Sequence, residues 1–171
     1  MVKAANGLVR ILQAEGVKWV GTFPTNGINN ACGEEKLPLV MMRDERYGVA
    51  IADAYSRVSN GRNVGVCTVM GGVNAAGIQV AFGAVAQAFE DGTPLLVITD
   101  GVSLGTSGNS HFDITRALES VTKWVGFIDQ PQRVPEFMRR AFTYLRSGRP
   151  GPVLLQVPRN LGEYDEAAFP Y

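Results

Sequence analysis

The chain has 171 residues, of which 46% are hydrophobic and 19% charged, and its 16 Lys and Arg balance its 16 Asp and Glu. Disorder is excluded, because disordered chains combine few apolar residues with a strong charge excess, and the lack of a basic run argues against a nucleic-acid-binding module. Two cysteines are too few for a disulfide scaffold, and they favour a reducing, cytoplasmic setting. A single histidine excludes a multi-histidine metal site.

Apolar runs separated by Gly, Pro and polar turns divide the chain into alternating helices and strands. Leu8, Ile11 and Leu12 indicate a first helix, which ends near Gly16. Strands are predicted at residues 17–23, 39–42, 64–69, 95–99, 124–128 and 153–157. Further helices are predicted at residues 45–58, 73–89, 114–120 and 134–145.

Nearly continuous apolar strands that alternate with helices are typical of a parallel sheet covered on both faces. We therefore expect an α/β fold of three layers, α/β/α, around a six-stranded, mostly parallel sheet. Residues 63–89 carry no charge and are long enough for a membrane span. Their central Gly71-Gly72 break instead indicates a buried strand followed by a buried helix, and no membrane contact is expected. Residues 1–160 form the predicted domain, and the acidic residues 161–171 a tail or the start of a linker to a missing domain.

Three loops are expected at the carboxyl edge of the sheet, where open parallel sheets bind ligands. The loops at residues 24–27 and 70–74 contain glycine, so their backbone N–H groups can approach a ligand. The loop at residues 43–45 brings the carboxylate of Glu45 to the same edge. Glycine and asparagine also occur in such loops simply because they turn the chain. An acid in a first helical turn is favoured by the helix dipole, so a solvated Glu45 paired with an arginine is the alternative.

Two other reactive side chains have simpler explanations. His111 lies in a polar loop, and a lone histidine without an orienting partner is more often incidental than catalytic. Cys67, inside a β-branched strand, is most simply a small core residue.

The motifs nevertheless coincide in order with those of one family. Residues 43–57 read RDERYGVAIADAYSR, which resembles the RHE…A…MADGYAR signature of thiamine-diphosphate-dependent 2-oxo-acid enzymes. Residues 64–77 resemble the strand and SGPGATN turn that follow it, and residues 93–98, 122–124 and 148–158 match later landmarks. Over its whole length the chain resembles the N-terminal, pyrimidine-binding domain of the acetolactate synthase, benzoylformate decarboxylase and pyruvate decarboxylase group.

The resemblance implies the thiamine-diphosphate-binding fold and the pyrimidine-binding half of a 2-oxo-acid decarboxylase or carboligase. It implies that Glu45 is catalytic: its hydrogen bond to N1′ of the aminopyrimidine favours the imino tautomer, which removes the proton from thiazolium C2. The bound cofactor then acts as an electron sink. The residues that the resemblance assigns to the cofactor are Pro24, Thr25, Asn26, Glu45, Gly71, Gly72 and Asn74. It makes Asn26, His111 and Phe112 the residues that face the substrate.

The sequence departs from the family in ways that leave the substrate open. Pro24-Thr25-Asn26 stands where the family has Pro-Gly-Gly or Pro-Gly-Ser, and His111-Phe112-Asp113 where acetolactate synthases have Phe-Gln-Glu. The family's Gly-Asp-Gly motif with a downstream Asn-Asn, which holds Mg²⁺ and the diphosphate, is not found here. The resemblance therefore implies a diphosphate-binding domain or subunit as partner, no metal ligand in this chain, and a dimer or higher oligomer.

Two other classes of function stay open on the residues alone. One is a non-catalytic assembly or small-ligand-binding module that keeps the same fold; the altered turns at Thr25-Asn26 and Gly72-Val73 favour it, and the retained Glu45 argues against it. The other is a flavodoxin-like or Rossmann nucleotide-binding domain, against which the sequence offers neither a G-x-G-x-x-G fingerprint nor a Walker loop.

Overall fold

The computed structural model describes residues 1–24, 27–72, 75–106 and 112–171. The strands of these residues are β1 (Val2–Lys3), β2 (Val20–Thr22), β3 (Leu39–Met41), β4 (Gly65–Val69), β5 (Leu95–Thr99), β6 (Trp124–Phe127), β7 (Pro152–Gln156) and β8 (Glu163–Tyr164). Their helices are α1 (Ala4–Ala14), α2 (Gly27–Glu34), α3 (Glu45–Val58), α4 (Ala76–Glu90), α5 (Ile114–Leu118) and α6 (Val134–Arg146), with 3₁₀ turns at Glu119–Val121 and Pro131–Arg133.

Within the described ranges, six strands form one parallel sheet in the spatial order β3-β2-β4-β5-β7-β6. The central strands β4, β5 and β7 are buried along their whole length, which explains why they read as unbroken apolar runs. The edge strand β3 is partly exposed. This sheet confirms the predicted fold class.

Two apolar clusters, one on each face of the sheet, make the three layers. Because successive side chains of a strand alternate between faces, each central strand contributes to both clusters. Cys67, Val97 and Leu154 lie in register and pack against α3, α4 and α5. Val66, Leu96 and Val153, one residue earlier in each strand, pack against α1, α2 and α6.

The segment between β2 and β3 forms a helix, α2, that was not predicted from the sequence. Its sequence, GINNACGE, is short and rich in residues of low helix propensity. Ile28, Ala31 and Cys32 are buried at helical spacing, so packing against the sheet and α1 stabilises this helix rather than propensity.

The uncharged segment at residues 63–89 contains strand β4 and most of helix α4, as predicted. Helix α4 starts at Ala76, later than expected, after Ala75 in the left-handed conformation (φ 49°). In the ranges that the structure describes, no helix has the length and apolar character that crossing a bilayer demands.

Residues after β7 fold back onto the domain. β8 pairs with β1 in antiparallel fashion, Val2 opposite Tyr164. Glu166 then forms an ion pair with Arg10 of α1 at 2.7 Å. Tyr171 hydrogen-bonds Glu15, which follows α1. These contacts attach the predicted tail to β1 and to the region of α1. The domain limit at residue 160 stays a prediction.

Candidate functional site

The candidate site lies at the carboxyl ends of β2 and β4, where the winding of the sheet changes direction. β2 leads into α2 on one face, whereas its neighbour β4 leads into α4 on the other. The two connections therefore run to opposite faces of the sheet, and the crevice at such a switch point is the place where doubly wound α/β sheets bind ligands. Of the predicted loops at residues 24–27 and 70–74, the described residues 24, 27 and 70–72 follow these two strands.

Glu45 begins α3 and is buried, with the residue 7% exposed. The preceding Asp44 caps the helix by accepting a hydrogen bond from the Arg46 backbone N–H at 2.8 Å. The Arg46 guanidinium pairs with Asp44 at 3.8 Å. Among the described residues the Glu45 carboxylate has no hydrogen-bond or ion-pair partner, and its oxygens remain reachable from the surface. The alternative of a solvated, arginine-paired Glu45 is therefore wrong.

Gly77, in the first turn of α4, provides the space that the Glu45 carboxylate occupies. A β-carbon at position 77 would lie 2.5 Å from Glu45 Oε1 and 2.8 Å from the Met70 backbone nitrogen, closer than real side chains approach. The carboxylate from α3 is thus brought to the end of β4. Gly77 was not predicted to be a site residue, although a glycine inside a helical pattern is a signal for close packing.

The Gly71-Gly72 turn after β4 is fixed by one residue at the end of the neighbouring strand. Asp100, immediately after β5, accepts a hydrogen bond from the Gly71 N–H through Oδ1 at 2.8 Å and one from the Gly72 N–H through its main-chain oxygen at 2.7 Å. The turn and residues 100–103 line a cleft of about 340 Å³. Gly71 and Gly72, both predicted to bind cofactor, line this cleft, whereas Glu45 and Pro24 do not.

A buried polar network holds the ends of β2 and β4 together. The Thr22 and Thr68 hydroxyls lie 2.5 Å apart, and both are within hydrogen-bond distance of Asn29 Oδ1, at 2.7 and 2.9 Å. Asn29 in turn donates its amide N–H to the Phe23 carbonyl at 2.8 Å. This network was not anticipated, because Asn29 belongs to the helix that the sequence did not predict.

The other predicted site residues are less closely grouped. Pro24 is exposed and lies two residues after the end of β2. Phe112 is half-buried and lines a neighbouring cleft of about 370 Å³, which shares Val102 and Ser103 with the first. Four predicted residues lie outside the described residues: Thr25, Asn26, Asn74 and His111.

Both cysteines are buried and form no disulfide, which for Cys67 confirms the predicted place in the core. Burial raises the pKa of the Cys32 thiol to about 12 and raises that of Cys67 further, so neither is a thiolate at neutral pH. Within the described ranges, no three or more His, Cys, Asp or Glu residues are grouped so that they could hold a metal ion.

A doubly wound parallel sheet with a buried carboxylate and a glycine turn at its switch point defines a ligand-binding α/β domain. The chain belongs to the thiamine pyrophosphate enzyme family: residues 2–122 match the model of its N-terminal TPP binding domain. The resemblance seen in the sequence is thereby confirmed.

Similar proteins come from archaea, cyanobacteria and plants. The chain is 30% identical to a probable acetolactate synthase large subunit of Methanocaldococcus jannaschii, over 99% of this chain and 29% of that protein. It is 30% identical to an acetolactate synthase of Arthrospira platensis, over 94% and 29%. It is 31% identical to chloroplastic acetolactate synthase 2 of Nicotiana tabacum, over 93% and 24%. The chain therefore spans less than a third of the length of these relatives.

Proposed function

We propose that this chain is the pyrimidine-binding half of a thiamine-diphosphate-dependent 2-oxo-acid decarboxylase or carboligase, in which Glu45 activates the cofactor through N1′. The observation that carries the proposal is the Glu45 carboxylate, buried and without a described partner at the switch point of the sheet. The names of the similar proteins, all acetolactate synthases, support the reaction class.

The residues present fit an aminopyrimidine. A nearly buried carboxyl group needs a hydrogen-bonding partner, because burial without one costs free energy. A ring nitrogen supplies that partner when it enters the crevice. Gly77 has no side chain, which leaves the space that Glu45 needs to face the ligand.

Each part of the site then has a separate task. Glu45 holds a proton at its carboxyl group and shares it with N1′. Gly71 and Gly72 present a side-chain-free surface, and Pro24 borders the crevice on the β2 side. When bound, thiamine diphosphate supplies an electron sink for cleavage of the bond next to the carbonyl of a 2-oxo acid. Asn26, Asn74, His111 and Phe112 remain the proposed contacts for the remainder of the cofactor and the substrate.

The diphosphate and its Mg²⁺ are assigned to another domain or subunit, because the sequence lacks the Gly-Asp-Gly motif with a downstream Asn-Asn. Self-association into a dimer or higher oligomer is supported by the outer surface of α3 and α4. Tyr47, Val58 and Val80 are exposed there, Val58 by 82%. Helix α4 has no charged residue before Glu90. A cytoplasmic location stays a prediction from the cysteine usage.

The proposal is tested by exchange of the C2 proton of thiamine diphosphate for deuterium, followed by NMR in the complete protein with any partner present. This measurement needs cofactor and Mg²⁺ but no substrate. We expect Glu45→Gln to slow the exchange by about 10²–10⁴-fold, the usual contribution of a positioned proton-transfer group. Glu90→Gln, at the exposed end of α4, is the matched control and should exchange like the wild type.

Two outcomes would contradict the proposal. If the wild-type protein does not accelerate the exchange, the chain is not part of a thiamine-diphosphate site. If Glu45→Gln exchanges as fast as wild type, Glu45 is not the activating group. The first outcome favours the non-catalytic module that keeps the fold.

A further inference from the structure

We propose that Asp100, held in place by Arg159, is a positioning residue that fixes the Gly71-Gly72 turn in the conformation that receives the cofactor. This inference rests on the proposed function, because it concerns the affinity of the same crevice for thiamine diphosphate. It concerns residues that make no contribution to the proposed proton transfer.

Asp100 is suited to this task by its position and burial. It is 3% exposed and directly follows β5, the neighbour of β4. One residue thereby accepts hydrogen bonds from two consecutive backbone N–H groups, those of Gly71 and Gly72. The Asp100 main chain also approaches Gly71 so closely that a side chain at position 71 has no space.

The Gly71-Gly72 turn needs such an external constraint. Glycine loses more conformational freedom on folding than any other residue. Two consecutive glycines also have no side-chain contacts that could hold the backbone of the turn in one conformation. Gly72 has a φ of +77°, in the left-handed region. A turn that is fixed before the ligand arrives avoids the ordering cost at binding and therefore binds more tightly.

Arg159 holds the carboxylate that makes these bonds. Its Nε donates to Asp100 Oδ2 at 2.6 Å, and its side chain is about half exposed. A buried carboxylate without a cation is costly, so the guanidinium stabilises the Asp100 carboxylate and orients it. Since Arg159 follows β7, the pair links the ends of β4, β5 and β7.

Asp100 and Arg159 lie between two cavities and line both of them. Both residues line the cleft of about 340 Å³ beside the glycine turn. They also line a cavity of about 470 Å³ between α1, α2 and residues 157–163. Loss of the pair therefore changes the shape of the cleft beside the glycine turn.

The test measures the dissociation constant for thiamine diphosphate at fixed Mg²⁺ by calorimetric titration of the complete protein, well below its Tm. Asp100→Ala removes the Gly71 acceptor and the ion pair, and we expect it to raise the dissociation constant about tenfold or more. Asp100→Asn and Arg159→Met remove the ion pair and leave an acceptor for Gly71, and should raise it less. The rate of C2 proton exchange at saturating cofactor should stay near that of the wild type.

Asp53→Asn is the matched control. Asp53 is also a buried aspartate paired with an arginine, Arg57, at 2.8 Å. Arg57 also pairs with Asp91. Asp91 precedes β5 and therefore lies near the amino ends of the strands, away from the carboxyl ends that carry the candidate site. This variant loses a comparable ion pair away from the crevice, and its affinity for thiamine diphosphate should equal that of the wild type.

The outcomes separate this inference from the proposed function. Unchanged affinity in Asp100→Ala, or an equal loss in Asp53→Asn, overturns the inference alone. If Asp100→Ala does not fold, unchanged affinity in both Asp100→Asn and Arg159→Met overturns it. Two results together support this inference and the proposed function. Asp100→Ala binds thiamine diphosphate weakly but exchanges the C2 proton rapidly at saturating cofactor. Glu45→Gln binds thiamine diphosphate tightly but exchanges the C2 proton slowly. Absence of binding by the wild-type protein overturns both.

Discussion

The Glu45 carboxylate and the α-carbon of Gly77 face each other across the first turns of α3 and α4. A β-carbon at position 77 would lie 2.5 Å from Glu45 Oε1, so a Gly77→Ala variant must displace the carboxylate. Because small displacements of a catalytic group can cost about 10²-fold in rate, we expect C2 proton exchange to fall by about that factor. Deuterium exchange of bound thiamine diphosphate measures it.

Gly83→Ala is the control for that substitution on the same helix. A β-carbon at position 83 meets nothing within 4 Å, and alanine is favoured over glycine in an exposed helix by about 1 kcal/mol. This variant should be slightly more stable than the wild type and exchange at the same rate. Equal rates of C2 proton exchange in Gly77→Ala and Gly83→Ala would contradict the prediction that a side chain at position 77 displaces the Glu45 carboxylate.

The buried network around Asn29 should contribute to the stability of the fold. Asn29→Ala removes the acceptor near the Thr22 and Thr68 hydroxyls and the donor to Phe23. We expect the free energy of unfolding to fall by about 1–3 kcal/mol, the cost of unsatisfied buried polar groups. Asn30→Ala, at the exposed neighbouring position, should change it by less than about 0.5 kcal/mol. Urea denaturation of the two variants measures the difference, and an equal effect would show that the network is not stabilising.

Alkaline pH should destabilise the protein through its buried thiols. The pKa of Cys32 is raised from its ordinary 9.0 to about 12 in the folded state. Between these values the unfolded chain loses the thiol proton and the folded chain keeps it. The contribution of Cys32 to the free energy of unfolding is therefore fully present below pH 9 and is lost as the pH rises towards 12. The slope is about 1.4 kcal/mol per pH unit for one group.

The comparison of Cys32→Ala with the wild type isolates this contribution. Burial also raises the pKa values of Cys67 and Tyr164, but both titrate in either protein. Urea denaturation between pH 8 and pH 11 should therefore show a shallower loss of stability in the variant. Parallel curves for the two proteins would contradict the effect of burial on Cys32.

Tyr164 should make residues beyond 160 part of the folded unit. It is 3% exposed and belongs to the apolar cluster formed with α1 and α6. Removing a buried aromatic side chain costs about 3–5 kcal/mol, so Tyr164→Ala should lower the Tm substantially. Phe169→Ala, at a position that is 46% exposed, should have almost no effect. Similar melting temperatures for Tyr164→Ala and wild type would mean that the domain ends near residue 160.

Elements with strong local signals were predictable from the sequence. Helix α3 has the predicted limits, since Asp44 is a good N-cap and the buried residues recur at helical spacing. Strand β5 also has the predicted limits, because its five apolar residues are bounded by Pro94 and Asp100. The place of Glu45 at the carboxyl edge follows from these limits and the parallel order of the strands.

What the sequence could not supply are relationships between distant segments. Gly77 matters because α3 crosses close to α4, and Asp100 because β4 and β5 are neighbours in register. Neither fact is present in a window of neighbouring residues. Helix α2 escaped prediction for the same reason, since its stability comes from three buried residues that meet other elements.

The antiparallel pairing of β1 with β8 determines how the molecule responds to mechanical load. Val2 lies opposite Tyr164 and Lys3 opposite Glu163, so a force that pulls Met1 from Tyr171 opens the pair from one end, one residue at a time. Before that, the load separates Tyr171 from Glu15 and Glu166 from Arg10. The first extension under tension therefore involves only the outer segments, before the load reaches the six parallel strands.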